Sequence, residues 1–245
     1  MKTIGLAAAV VLFFSVSSRT EAQDANSDVA KSWQKGVAYV PGKSLSMSPA
    51  DIGAEKPYPV VLYLHGCSGI GPTDKRWGPF LRDQGFIVIQ PDSLERDRPK
   101  SCDPAARRSG MFPGVFKARL EEMNYAREQI AISAWADQKN VFIMGHSEGG
   151  VAVALTSRAD FRGAIISAWH CGTTGLRTAP DVPVLAIDHN SDPFYPGVAG
   201  GGCGKHFGGR PRSRMITLAG HDHDTFENSA REGLAAFLKE QLAQP

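Results

Sequence analysis

Ser147 stands in Gly145-His146-Ser147-Glu148-Gly149-Gly150, directly after the apolar run Val141-Phe142-Ile143-Met144. A serine between two glycines at the end of a strand is the pattern of a nucleophile elbow, a sharp strand-to-helix turn that pushes the hydroxyl out of the sheet. The glycines have a steric reason. The turn is strained, and a side chain two residues to either side would meet the neighbouring strand or helix. Glycine fills 26 of the 245 positions, so the pentapeptide alone is a weak signal. Its context strengthens it: a buried-type strand precedes, and the small residues of 149–154 let a helix pack close behind the serine.

A serine hydroxyl becomes a nucleophile when a base takes its proton and a carboxylate orients that base. Two later loops carry the residue types, Asp188-His189-Asn190-Ser191-Asp192-Pro193 and Ala219-Gly220-His221-Asp222-His223-Asp224. Serine, acid and histidine thus follow in the chain order expected when a nucleophile elbow sits in a parallel sheet. Asp188 falls at a strand tip, where it is expected to cap a turn. Asp192 lies further into its loop, with room to reach a histidine, and is the expected acid; its plainer role is an Asx turn before Pro193. His223 lies deeper in its loop than His221 and is the expected base. An oxyanion hole needs two backbone N–H groups aimed at the developing charge. Glu148, just after the nucleophile, is expected to give one. Cys67, in the glycine-rich His65-Gly66-Cys67-Ser68-Gly69, is expected to give the other.

These residues need a frame. Apolar runs at 60–64, 86–89, 141–144, 163–168, 184–187 and 215–218 read as strands, the first buried on both faces. Between them lie helical patterns. Trp77, Phe80 and Leu81 precede a stop at Gly85, and Phe116, Leu120, Met123, Ala126 and Ile130 mark one face of a long helix. A last helix, with Ser229 and Glu232 as a capping box, turns Leu234, Phe237, Leu238 and Leu242 inward. Alternation of strands and helices predicts an α/β fold with a mostly parallel central sheet flanked by helices. Catalytic groups are then expected at the carboxyl ends of its strands. Residues 23–57 show little periodicity, and 197–209 read as a glycine-dense mobile surface loop pinned by a disulfide.

Lys2, the apolar stretch 4–16 and Thr20-Glu21-Ala22 read as a signal peptide over residues 1–22, cleaved before Gln23. The remainder, 23–245, is expected to form one domain in a secreted or periplasmic protein. A formal net charge of +2 argues against nucleic acid or a membrane surface as partner. No other stretch is long and apolar enough to span a bilayer. Four cysteines, Cys67, Cys102, Cys171 and Cys203, fit two disulfides, with three pairings open from composition alone.

The glycine-rich loop at 65–69, Trp77 to Gly85, Pro91-Asp92-Ser93 with Cys102 downstream, the elbow, Asp192-Pro193 and the His221-Asp222-His223-Asp224 loop together resemble the dienelactone hydrolase-like group of α/β-hydrolases. The likeness covers roughly 58–242. It implies that group's fold, a triad and action on carboxylic esters, with no cofactor. Gly220, His223, Asp224 and Phe226 follow the group's order of glycine, histidine, acid and phenylalanine. Founding members carry cysteine at the elbow, whereas this chain has Ser147, which favours a serine esterase acting on small or polymeric esters. In that fold the strands before Cys67 and Cys102 are neighbours, so Cys67–Cys102 and Cys171–Cys203 are the expected pairs. Two other readings stand beside this one: a metal-dependent hydrolase using His221 and His223, and a non-catalytic binding protein on the same fold. Arg96, Arg98, Lys100, Arg107 and Arg108, and then Lys205, Arg210, Arg212 and Arg214, read as a solvated surface or as the rim of a mouth for anionic acyl groups.

Overall fold

The computed structural model describes residues 27–53, 56–102, 112–172, 174–194 and 202–245. The segment 1–22 and the pair Arg107 and Arg108 lie outside the described residues. Within them seven strands form one sheet in the order β1-β3-β2-β4-β5-β6-β7. They are β1 (Val37–Tyr39), β2 (Tyr58–Leu64), β3 (Ile87–Gln90), β4 (Ala136–His146), β5 (Gly163–Ser167), β6 (Val184–His189) and β7 (Arg214–Leu218). β1 runs antiparallel to β3, and every other pairing is parallel.

The helices are α1 (Asp28–Gln34), α2 (Pro72–Asp83), α3 (Phe112–Ala131), α4 (Glu148–Leu155) and α5 (Asn228–Leu242). The pleat explains how one strand serves two cores. Val60, Leu62 and Leu64 of β2 face a cluster with Trp33 of α1, Met123 and Ile130 of α3 and Val151 of α4. Val61 and Tyr63 face the opposite cluster, with Trp77 and Leu81 of α2 and Leu234 and Phe237 of α5. A strand covered on both faces has no use for alternating polarity, hence the unbroken apolar run.

From β2 the chain moves outward to β3, then crosses back through α3 to β4 on β2's other side. The order reverses there, and such a switch point opens a crevice at the strands' carboxyl ends. Leu64 of β2 pairs with Gly145 of β4, so the loop after Leu64 and the elbow after His146 emerge side by side.

Several local expectations are corrected. β4 begins at Ala136, well before its apolar run, and the aperiodic N-terminal stretch, where the sequence allowed short edge strands without placing them, holds the antiparallel edge β1 and also α1. Ser229 does not cap the last helix, which starts at Asn228 with Glu227 as N-cap and no side-chain cap bond. Leu242 is exposed, because the inward position of that last turn is Gln241, whose backbone carbonyl accepts from Arg162 and whose side chain accepts from Arg212. Of the glycine-dense stretch, 197–201 lie outside the described residues. Gly202–His206 form a 3-10 turn rather than a mobile loop, with Cys203 buried. Both expected disulfides are present, Cys67–Cys102 and Cys171–Cys203.

Candidate active site

The elbow is built as its sequence requires. Ser147 has φ 54° and ψ −115°, outside the conformations most side chains adopt. Its N–H donates to Ser167 O at 2.8 Å, which ties the strained turn to β5. A Cβ on Gly145 would sit 2.2 Å from Gly149 O, and one on Gly149 would sit 2.0 Å from Leu64 O. The flanking glycines are therefore demanded by backbone on both sides.

Asp192 and His223 come together although 31 residues separate them: His223 Nδ1–H donates to Asp192 Oδ2 at 2.6 Å. Asp192 is buried and also accepts from the N–H of Phe194 at 2.8 Å, so its carboxylate is held from two sides. The Phe194 ring lies 4.4 Å, centroid to centroid, from the His223 ring. The ring of His146, the residue before Ser147, lies 5.1 Å from it on the same measure. The Nδ1 contact fixes which edge of the ring the Asp192 carboxylate holds.

The histidine loop is anchored at three points. Asp224 pairs with Arg76 of α2, and its carbonyl faces His189 Nε2 at 3.1 Å. Thr225 Oγ1 lies 2.6 Å from Ser167 Oγ, which lies 3.1 Å from His146 Nδ1. Burial, with the neighbouring His223 acting in the same direction, holds the His146 pKa down to about 3. A neutral ring there spares an imidazolium on His223 a repelling neighbour. None of His146, Ser167 or Thr225 was expected to matter, since their contact joins three separate segments.

Asp188 does not cap a turn. It accepts from the N–H of Trp169, at the end of the adjacent strand, at 3.0 Å. Burial pushes its pKa up to about 7, and the nearby Asp192 adds to the rise. His221 is exposed. The acids around it are spent on the loop itself: Asp222 accepts from the N–H groups of His223 and Asp224, and Asp224 from that of Phe226. With His223 committed to Asp192, the cluster is not arranged as a metal-ligand set. Among the described residues no group of three or more His, Cys, Asp or Glu could hold a metal ion.

The loop after β2 lies against Ser147, since a Cβ on Gly66 would come within 3.6 Å of Ser147 Cβ. His65 shapes that loop as a neutral ring. Its Nδ1–H donates to Gly66 O at 2.6 Å and its Nε2 accepts from the N–H of Ser93 at 2.9 Å. Burial and then the Arg119 charge hold its pKa well below the ordinary histidine value.

Two residues of the first basic cluster, Arg96 and Arg98, are buried rather than part of a solvated rim, whereas Lys100 is exposed. Arg98 is buried and donates to Glu148 Oε1 at 2.9 Å, and Arg96 pairs with Asp28 and Glu121. In the second cluster Arg210 donates to the carbonyls of Thr178 and Ala179, and Arg214 pairs with Glu240. These arginines tie segments together because a guanidinium can satisfy several carbonyls at once. The buried Arg119 and Glu122 on α3, 3.2 Å apart, were not anticipated either. Their i,i+3 spacing on the helix that packs behind the elbow was a readable signal.

Sheet, switch point and elbow define the α/β-hydrolase fold. Solved structures that share it include Est1E from Butyrivibrio proteoclasticus, with a TM-score of 0.59 and 16% identity over 85% of this chain and 94% of that one. A dienelactone hydrolase-like promiscuous phosphotriesterase from metagenomic libraries gives a TM-score of 0.57 and 15% identity, covering 80% of this chain and 90% of that one. By sequence the chain is 27% identical over 204 residues to Chlorophyllase-1, chloroplastic, of Citrus unshiu. That alignment covers 80% of this chain but 56% of the relative, so the chain spans little more than half the length of the curated protein it matches. No family model matches the chain.

Proposed function

We propose that this protein is an exported serine hydrolase that cleaves carboxylic esters through Ser147, His223 and Asp192. The observation that carries the reading is the 2.6 Å bond between His223 Nδ1 and Asp192 Oδ2 beside a serine held on a strained elbow. His223 Nε2 takes the Ser147 proton as Oγ attacks the ester carbonyl. The tetrahedral oxyanion accepts from the N–H groups of Cys67 and Glu148. Asp192 stabilises the imidazolium, which then protonates the departing alcohol. Water, activated by the same histidine, cleaves the acyl-enzyme and restores the serine.

The named neighbours support the ester class. Est1E has been solved with ferulic acid bound, and the metagenomic neighbour is described as dienelactone hydrolase-like. Two disulfides fit an oxidising compartment, in keeping with the signal peptide read at 1–22. No helix among the described residues is long and apolar enough to cross a membrane. The test is turnover of simple esters by the wild type and by Ser147→Ala, with a fluorophosphonate probe alongside. The variant is expected to lose about four to six orders of magnitude in kcat and all labelling. A variant that keeps roughly a tenth of wild-type turnover overturns the reading.

A further inference from the structure

The residue after the nucleophile is a glutamate whose side chain turns into the protein rather than toward substrate; 4% of it is exposed. Burying an ionised carboxylate is costly unless it is paired and hydrogen-bonded. Glu148 is both. Arg98 donates to its Oε1 at 2.9 Å, Ser101 Oγ donates to its Oε2, and Arg119 Nε lies 3.7 Å from its Oε1. Arg119 also donates to His65 O at 2.8 Å, and so grips the loop that carries Cys67. Directly after Ser101 comes Cys102, bonded covalently to Cys67, with their Cα atoms 5.4 Å apart. Arg98 Nε in turn donates to Ser93 O at 3.2 Å, and Ser93 N–H holds His65. The two amides assigned above to the oxyanion hole therefore belong to residues tied to one short segment. As the first residue of α4, Glu148 has an N–H with no partner inside its helix, so it is available to face substrate.

We propose that residues 98–102 form a strut for the oxyanion hole, with Arg98, Ser101 and the Cys67–Cys102 disulfide as positioning elements. The disulfide sets the Cys67 donor, the grip on the Glu148 carboxylate sets the Glu148 donor, and the shared segment fixes the distance between them. The inference rests on the function proposed above. Its signature is transition-state stabilisation, because the donors act where charge develops rather than on the bound ester.

The test measures kcat, KM, melting temperature and affinity for an alkyl boronic acid, whose tetrahedral adduct places an oxygen in the hole. Wild type is compared with Glu148→Gln, Arg98→Met, the double variant Cys67→Ser/Cys102→Ser, and the last two combined. Glu148→Gln keeps the side-chain volume and both disulfides, so it reads out the strut even where a cysteine variant fails to fold. Each folded variant is expected to lose about 10- to 100-fold in kcat, with KM within about threefold of wild type and boronate affinity falling in step with kcat. The combined variant is expected to lose less than the product of its parents, since both act on one segment. Folded Glu148→Gln and Arg98→Met with wild-type kcat, losses carried by KM alone, or losses that multiply would each overturn the strut. Failure of the wild type to hydrolyse esters or react with a fluorophosphonate refutes the proposed function instead, a result the strut variants do not mimic.

Discussion

The proposed choice of His223 over His221 as base rests on a single hydrogen bond. His223 meets Asp192, whereas His221, two residues earlier, is exposed. His223→Ala is therefore expected to lose nearly all ester turnover, and His221→Ala to stay within about threefold of wild type. Kinetics of the two variants side by side check this, and a dead His221→Ala would reverse the assignment. Asp192→Asn keeps the shape of the loop but no longer selects the proper histidine tautomer. Its kcat is expected to fall by about 10³- to 10⁴-fold, with retained melting temperature showing that the loss is catalytic.

At the scale of elements, the proposed site depends on how closely β4, α4 and β2 approach. The would-be Cβ atoms of Gly145 and Gly149 collide with backbone, which cannot swing aside as a side chain can. Gly145→Ala and Gly149→Ala are each expected to destabilise the fold by about 3 kcal/mol or more, or to yield insoluble protein. Gly53→Ala, whose Cβ would meet nothing within 4 Å, is the neutral control. Denaturant unfolding of the three checks the contrast. The anchoring of the histidine loop is gentler. Thr225→Val removes the hydroxyl that meets Ser167 while keeping shape. It removes one of the two contacts of the buried Ser167 hydroxyl, the other being His146 Nδ1, and is expected to cost about 0.5–1.5 kcal/mol in denaturant unfolding.

Across the whole molecule two buried groups give stability a pH dependence of opposite sign. The Asp188 pKa of about 7 in the fold lies above its ordinary 3.8. Between those values the unfolded chain has released a proton that the fold retains, so stability falls as pH rises through the window. The His146 pKa of about 3 lies below its ordinary 6.5. There the unfolded chain binds a proton that the fold refuses, so stability is lost as pH falls from 6.5 toward 3. The two slopes oppose each other where the windows overlap. Asp188→Asn keeps an acceptor for the Trp169 N–H and removes the first slope. It is expected to raise the melting temperature near pH 8 and to change it little near pH 4, as thermal scans at the two pH values will show. A gain near pH 4 equal to that near pH 8 would refute the ionisation argument. The disulfides close loops with sequence separations of 35 and 32 residues, and loss of either is expected to cost about 3–4 kcal/mol on the loop-entropy account.

The parallel sheet and the glycine-flanked elbow were legible in the chain because each is a local pattern. A strand buried on both faces must be apolar throughout, and a strained turn against backbone must carry glycines. The cysteine pairing became legible once the order of neighbouring strands was assumed. What escaped was contact between segments distant in sequence. Arg98 reads as one basic residue in a charged loop, and only the fold buries it against Glu148. Asp188 reads as a turn residue, and only the adjacent end of β5 supplies the Trp169 N–H that it accepts. Ser229 followed by Glu232 is a sound local cap that a helix starting at Asn228 leaves unused. Sequence periodicity records which face of an element is buried. The partner of a buried charge is set by crossing chains, and that information exists only once the sheet has brought them together.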